Sequence, residues 1–444
     1  MYRETAKLLL YSNLGEDAIL TRLSEIFYDW DTTSEAEKGS KSPALISRIY
    51  TEVKRLLDLA TVYGFNHNLW QNYLTFLLMT NENSFTLTCE RVGATEGGSV
   101  NHFAKADFAV FKRLFDFDFS SIEADLGIDC FTVLTHYTAI PKKAQMYYRT
   151  VSERVQALSA AIDAAQSTDD VFAAVTAHYR DWGVGMFGLN RAFRLDDNGS
   201  LTAINNIDRV VLADLIGYET QKKTLRDNTV AFVEGRSCNN MLLYGDAGTG
   251  KSTSVKAILN EYYEQGLRMI EIYKHQFGLL SKVIAQVKNR NYRFMIFIDD
   301  LSFEEHEVEY KFLKAVIEGG VETRPTNVLI VATSNRRHLV RETWKDKNDM
   351  EFQNDIHRSD TMEEKLSLAA RFGCSICYNS PNRQQYHDIV KGIAARLPKG
   401  VDLTEEQLLL EANKWEIRHG GISGRTAQQF INYISGLKKD VEKA

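Results

Sequence analysis

The run Gly245, Asp246, Ala247, Gly248, Thr249, Gly250, Lys251, Ser252 follows the spacing G-x-x-x-x-G-K-[ST]. Each residue type has a chemical reason to stand where it does. Glycines let successive backbone N–H groups turn inward around anionic oxygens, and the helix that follows adds the positive end of its dipole. Lys251 then reaches terminal phosphates, the Ser252 hydroxyl is a ligand for Mg²⁺, and Thr253 completes the phosphate-side set. An apolar run at 241–244 precedes the loop and a helical segment at 255–263 follows it, so motif and context agree.

A cation held by Ser252 needs a carboxylate beside it, and the apolar run 294–298 ends in Asp299 and Asp300. Asp299 is the metal-side candidate; Asp300, next in line, is placed to polarise an attacking water as general base. Such an acidic pair is otherwise only a solvated loop, and it gains meaning from the upstream glycines. A third apolar run, 328–333, leads to Asn335, whose neutral amide suits a water or a γ-phosphate. Two arginines follow, Arg371 and Arg425. Ser423 reads as a helix N-cap, which puts Arg425 in a first turn where dipole logic disfavours a cation. A phosphate partner explains that choice, and an unrelated salt bridge is the rival reading.

These residues require a sheet with helices on it. After Asp208, short apolar runs at 241–244, 269–273, 294–298, 328–333 and 375–378 alternate with helical stretches such as Val308, Phe312, Leu313, Val316 and Ile317. That alternation predicts an α/β fold, a P-loop NTPase parallel sheet core with helices on both faces. From Pro381 onward only helical stripes remain, among them Ile389, Val390, Ile393 and Leu397, and they predict a C-terminal helical lid. The first two hundred residues carry stripes at Ile19 to Trp30, Ile46 to Ala60 and Val151 to Ile162, the marks of a mainly α-helical N-terminal domain. The polar turn Asp196, Asp197, Asn198, Gly199 and the stretch to Asn206 read as the boundary. The expected domains are therefore 1–209, 210–380 and 381–444.

Composition bounds the rest. With 444 residues, 44% hydrophobic and 25% charged, the chain can bury more than one core, and disorder, collagen and a disulfide miniprotein are excluded. Five prolines disfavour a turn-dense β-sandwich. The net charge of −6 lies in residues 1–210 (−7), the remainder being nearly neutral (+1). No long basic tract signals generic duplex binding. The Phe103–Phe119 region holds six phenylalanines, but Asp107, Asp116 and Asp118 balance Lys105, Lys112 and Arg113, which favours a core or partner-facing surface over base stacking. Five scattered cysteines fit a reducing compartment, and Cys374 and Cys377 read as part of a buried strand in preference to half a metal site. The N-terminal MYRETAKLLL lacks the pattern of a secretory signal, and the longest uncharged window, 59–81, holds too many amides for lipid. A cytoplasmic protein with no membrane association is expected.

In this order and with a helical lid, the five stations resemble those of the AAA+ class of P-loop ATPases. The stretches DLIGYETQKKTLRDNT, GDAGTGKSTSVKAILNEY, FIDDLSFEE, ATSNRRHLVRE, EEKLSLAARFG and GISGRTAQQF resemble bacterial ATP-binding proteins grouped as domain-of-unknown-function family 815. The resemblance covers residues 210–436. It implies that Lys251 and Ser252 are Walker A residues, Asp299 and Asp300 the Walker B pair, Asn335 sensor 1 and Arg425 sensor 2. Arg371 stands where many such proteins carry a finger for a neighbour's γ-phosphate, implying a homo-oligomer. Ile216 and Gly217 fall where the class contacts adenine. Most of the class has Glu where Asp300 stands, one methylene longer, so hydrolysis is expected to be slow unless Glu304 or Glu305 substitutes.

The leading expectation is an enzyme, a Mg²⁺-dependent ATPase (ATP and water to ADP and phosphate) whose ATP state moves the lid and acts on an unknown protein client held by the helical half. The alternative is a weakly hydrolysing, ATP-gated adaptor or loader, acting on nucleic acid through Arg336, Arg337, His338 and Arg341. Phosphotransfer lacks a recognisable acceptor pocket, and GTP lacks an N-K-x-D base-reading motif.

Overall fold

The computed structural model describes residues 1–94, 98–141, 147–196, 198–204, 207–304, 307, 309–318, 325–335, 339, 368–397, 400–401 and 403–436. Arg336, Arg337, His338, Arg341 and Glu305 lie outside these. The chain divides into two compact units, Met1–Asn190 and Arg191–Ala444.

In the first unit the predicted apolar stripes become helices Ile19–Thr32, Glu35–Tyr63 and Arg149–Ala164, joined by others such as Leu69–Thr80, Ser99–Phe115 and Thr168–Trp182. Gly64, left-handed, ends the long helix Glu35–Tyr63 inside the uncharged window. Most of the phenylalanine-rich run is core: Phe108, Phe111, Phe115 and Phe119 are buried, Phe119 stacks on Phe131 at 4.3 Å between ring centres, and Phe103 is exposed. Asp107 does more than balance charge. It is fully buried, and its carboxylate accepts from the backbone N–H groups of Leu9 (3.0 Å), Leu10 (2.8 Å) and Tyr11 (3.1 Å). A helix of the phenylalanine run thereby holds the N-terminal segment, and the desolvated charge is compensated by three donors.

The second unit is built on a seven-stranded sheet in the order β2-β1-β4-β5-β6-β3-β7. Its strands are β1 (Ala192–Leu195), β2 (Leu201–Ala203), β3 (Met241–Gly245), β4 (Leu267–Glu271), β5 (Arg293–Ile298), β6 (Val328–Ser334) and β7 (Cys374–Tyr378). All neighbours are parallel except β1 and β2. Parallel strands covered on both faces need apolar side chains throughout, and all seven residues of β6 are buried. Five strands stand where the sequence predicts them. Cys374 and Cys377 both belong to β7, as the strand reading requires.

The polar residues from Asp196 that read as a boundary lie inside the second unit, between β1 and β2. The Asp196 side chain accepts from the N–H groups of Asn198 (2.9 Å) and Ser200 (2.8 Å). Turn chemistry of this kind ends a strand and opens a linker with the same residues, so only pairing separates the two cases. Helix Tyr310–Glu318 buries Leu313 and Ile317 of its predicted stripe but leaves Phe312 51% exposed, and Val308 lies outside the described residues.

Beyond β7, helices Arg383–Ala395, Glu405–Arg418 and Gly424–Gly436 enclose a separate small core of Tyr386, Ile389, Val390, Leu408, Phe430 and Ile431. Ile216, from the segment before helix Glu219–Val233, packs into this lid core. Among the described residues no helix is long and apolar enough to cross a membrane.

Candidate functional site

The glycine loop leaves β3, which lies between β6 and β7, and opens helix Lys251–Tyr262. Asp299 follows β5 and Asn335 follows β6, so all three segments emerge at the carboxyl edge of adjacent or nearly adjacent strands. This edge, where successive connections diverge, is the usual ligand crevice of an open parallel sheet. Here it opens into a cavity of about 870 Å³.

Of the residues singled out from sequence, Ile216, Gly248, Thr249, Gly250, Lys251, Ser252, Thr253, Asp299, Asp300, Asn335 and Arg425 line the cavity. Gly217, Gly245, Asp246, Ala247 and Arg371 do not. Arg371 is instead ion-paired with Glu318. Glu304 is exposed and lies outside the cavity lining.

Lys251 is only 7% exposed, and its three donor positions are all used: Gly245 O at 2.9 Å, Asp246 O at 2.6 Å and Asn335 Oδ1 at 3.1 Å. Burial pushes its ammonium below the ordinary lysine value, while Asp246, Asp300 and Asp299 pull the other way. The amide of Asn335 faces both sign classes, since its Nδ2 donates to Asp300 Oδ1 at 2.8 Å. Ser252 Oγ donates to Asp299 Oδ1 at 2.6 Å. The backbone of Asp300 is left-handed, with φ of 51°, a region that Asp tolerates better than most residues. A Cα turned this way redirects a short side chain toward Asn335.

Asp246 is not among the residues lining the cavity. Its Oδ2 accepts from the Ser380 hydroxyl (2.7 Å) and N–H (2.8 Å), and these bonds hold the carboxyl below the usual aspartate range. The loop is thus tied to the segment joining β7 to the lid. Tyr218 OH donates to Asn379 O (2.8 Å) in the same segment, and Gln221 Nε2 to Cys377 O (2.9 Å) at the end of β7 that leads into it.

The lid touches the loop directly. Arg425 N donates to Gly248 O at 3.2 Å, and a Cβ on Gly248, whose φ is +76°, would lie 3.0 Å from Arg425 Cβ and 3.1 Å from Ser423 Oγ. Glycine is required there for conformation and for space. Ser423 Oγ accepts from Thr426 N at 3.0 Å, the N-cap arrangement expected from sequence. Further out, Arg396, the residue that caps the first lid helix at its C-terminus, donates to Asp214 O (2.6 Å) and Ala213 O (2.8 Å). Arg396, Tyr218, Thr333, Gln428 and Gln429 line the cavity and were not singled out from sequence. All but Arg396 fall inside the stretches quoted for the resemblance, yet only their position in three dimensions marks them as cavity residues.

A helix N-terminus on the cavity wall, a buried lysine and a hydroxyl–carboxylate pair form a set that fits a polyanion accompanied by a hard divalent cation. The fold and this loop define a P-loop NTPase core of AAA+-like build, with a helical lid. The chain belongs to the family described as Protein of unknown function (DUF815), whose model matches residues 189–438. No curated protein matches it. Among solved structures it is similar to three variants of RuvB from Thermotoga maritima, at 16%, 15% and 16% identity. The matches cover 52%, 51% and 50% of this chain and 74%, 73% and 71% of those chains, with TM-scores of 0.32, 0.32 and 0.31.

Proposed function

We propose that the chain is a Mg²⁺-dependent ATPase that couples ATP binding and hydrolysis to movement of the helical lid, acting on a protein client through its helical first unit. The observation that carries this reading is the convergence of Lys251, Ser252, Asp299, Asp300, Asn335 and Arg425 on one cavity. Loop N–H groups and Lys251 hold the phosphates, while Ser252 and Asp299 hold the cation. Mg²⁺, when bound, supplies charge neutralisation on the phosphate oxygens. Asp300 accepts the proton of the attacking water, and Asn335 orients that water. Arg425, on the helix whose N–H touches Gly248, makes lid position sensitive to the γ-phosphate. Ile216 supplies apolar surface toward the base, with Gly217 shaping the turn beside it.

Asp300→Asn tests the chemical role. Binding of ATP should persist within a few-fold and turnover fall about 100-fold or more, in keeping with the loss of a general base; turnover at the wild-type rate would remove that role. Arg371, paired with Glu318, would have to exchange that partner to serve a neighbouring subunit. Specific activity rising with protein concentration supports assembly through it, and a flat dilution series argues against it.

The second reading is an ATP-gated adaptor that hydrolyses little. It is favoured by the closed chain Lys251–Asn335–Asp300 and by the short acid at position 300. ATP-dependent, salt-sensitive binding of single-stranded nucleic acid would support its loader form. A cytoplasmic location is part of the proposal.

A further inference from the structure

Thr333, the penultimate residue of β6, is 1% exposed and lines the cavity beside the two acids. Its hydroxyl is used twice. Oγ1 donates to Asp299 Oδ1 at 2.5 Å and accepts from the Asp300 N–H at 2.9 Å, while its carbonyl accepts from Leu301 N at 2.7 Å. One residue of β6 therefore holds three consecutive residues that have just left β5, the first two through its side chain and the third through its backbone carbonyl. A hydroxyl has a single proton, and here it is spent on the metal-side carboxylate.

The same Asp299 Oδ1 also receives the proton of Ser252 Oγ at 2.6 Å. The two donors differ in where they sit. Ser252 sits at the opening of the phosphate-loop helix and is itself a ligand type for Mg²⁺, which it would bind through an oxygen lone pair while its proton stays available to Asp299. Thr333 is buried in the sheet and stiff at χ1, so its hydroxyl holds a fixed direction. It also secures the left-handed turn at Asp300, whose N–H would otherwise lack this acceptor next to a buried strand end.

We propose that Thr333 is a positioning residue that sets Asp299 for the cation and Asp300 for the water through a single hydroxyl. The inference rests on the Mg²⁺–ATP reading of the site and adds to it a residue outside the loop, the acidic pair and the sensors. It acts through the Asp299 carboxylate and the Asp300 backbone, so it should change metal dependence before it changes nucleotide affinity.

The test is calorimetric titration of ATP, first in EDTA and then across a Mg²⁺ series, on wild type, Thr333→Val and Thr333→Ser. Valine keeps the shape and removes the hydroxyl; serine keeps the hydroxyl. Thr333→Val should bind ATP in EDTA within twofold of wild type, while the Mg²⁺ concentration for half-maximal tightening rises about tenfold, the scale of one lost hydrogen bond to a charged group. Thr333→Ser should stay within twofold. Thr333→Cys, with a weaker donor, should fall between them and stands in if valine costs the fold. Wild-type Mg²⁺ dependence in the valine or cysteine variant, or a serine variant shifted as far as valine, overturns the inference while leaving the ATPase reading intact. A wild-type protein that takes up no ATP with Mg²⁺ overturns both.

Discussion

Lys251, at the start of the loop's helix, and Asn335, just past β6, meet at 3.1 Å, and Asn335 passes the contact on to Asp300 at 2.8 Å. The lysine that should grip phosphate and the acid that should activate water are therefore tied together by one amide. A nucleotide that draws Lys251 away leaves the Asn335 carbonyl without its donor, so occupancy of the loop is felt at the acid. Asn335→Ala removes this link. ATP affinity is expected to stay within a few-fold and turnover to fall about 100-fold, the scale of a lost preorganised donor; steady-state hydrolysis beside direct binding separates the two. Equal losses in both would mean that Asn335 serves binding alone.

The Asp246–Ser380 clasp predicts a pH-dependent effect. The Asp246 carboxyl is held below its ordinary value by the Ser380 hydroxyl and N–H. A depressed folded-state pKa contributes stability that is present above the unfolded value, near 4, and is lost as pH falls through the folded value. Ser380→Ala should therefore lower the thermal midpoint at neutral pH, and its difference from wild type should shrink below about pH 4. A constant difference down to pH 3 would show that the carboxylate is not what Ser380 holds.

Asp107 is the corresponding test of the first unit. Its buried carboxylate accepts three backbone N–H bonds from residues 9–11. Asparagine places an amide donor among those donors, so Asp107→Asn should cost about 2–4 kcal/mol of stability, read by denaturant unfolding. A loss under 0.5 kcal/mol would mean the N-terminal segment is held by its apolar contacts instead.

The sheet and the phosphate loop were legible because their signals are local: apolar runs of strand length, a spaced glycine motif, an acidic pair at a strand end. Asn335 and Arg425 followed from their positions after such elements. The hairpin β1–β2 was missed because Asp196–Gly199 satisfies turn chemistry whether the chain pairs or departs. Thr333, Ser380 and Arg396 were missed for another reason. Each is an ordinary polar residue in sequence, and its meaning arises only when β6, the lid segment or the first lid helix is folded beside its partner. Asp107 was read as one charge among several in a balanced run, since nothing local distinguishes a solvated aspartate from one that accepts the chain's own N-terminal backbone. Arg371 was placed by analogy of position, and its pairing with Glu318 depends on a residue more than fifty positions away.

Whether the loop Gly245–Ser252 grips a triphosphate is measured most directly in Lys251→Ala. Calorimetry of ATP with Mg²⁺ should show binding weakened about 100-fold or lost, as expected for removing a buried, charge-assisted contact. Affinity equal to wild type in a folded Lys251→Ala protein would contradict the account.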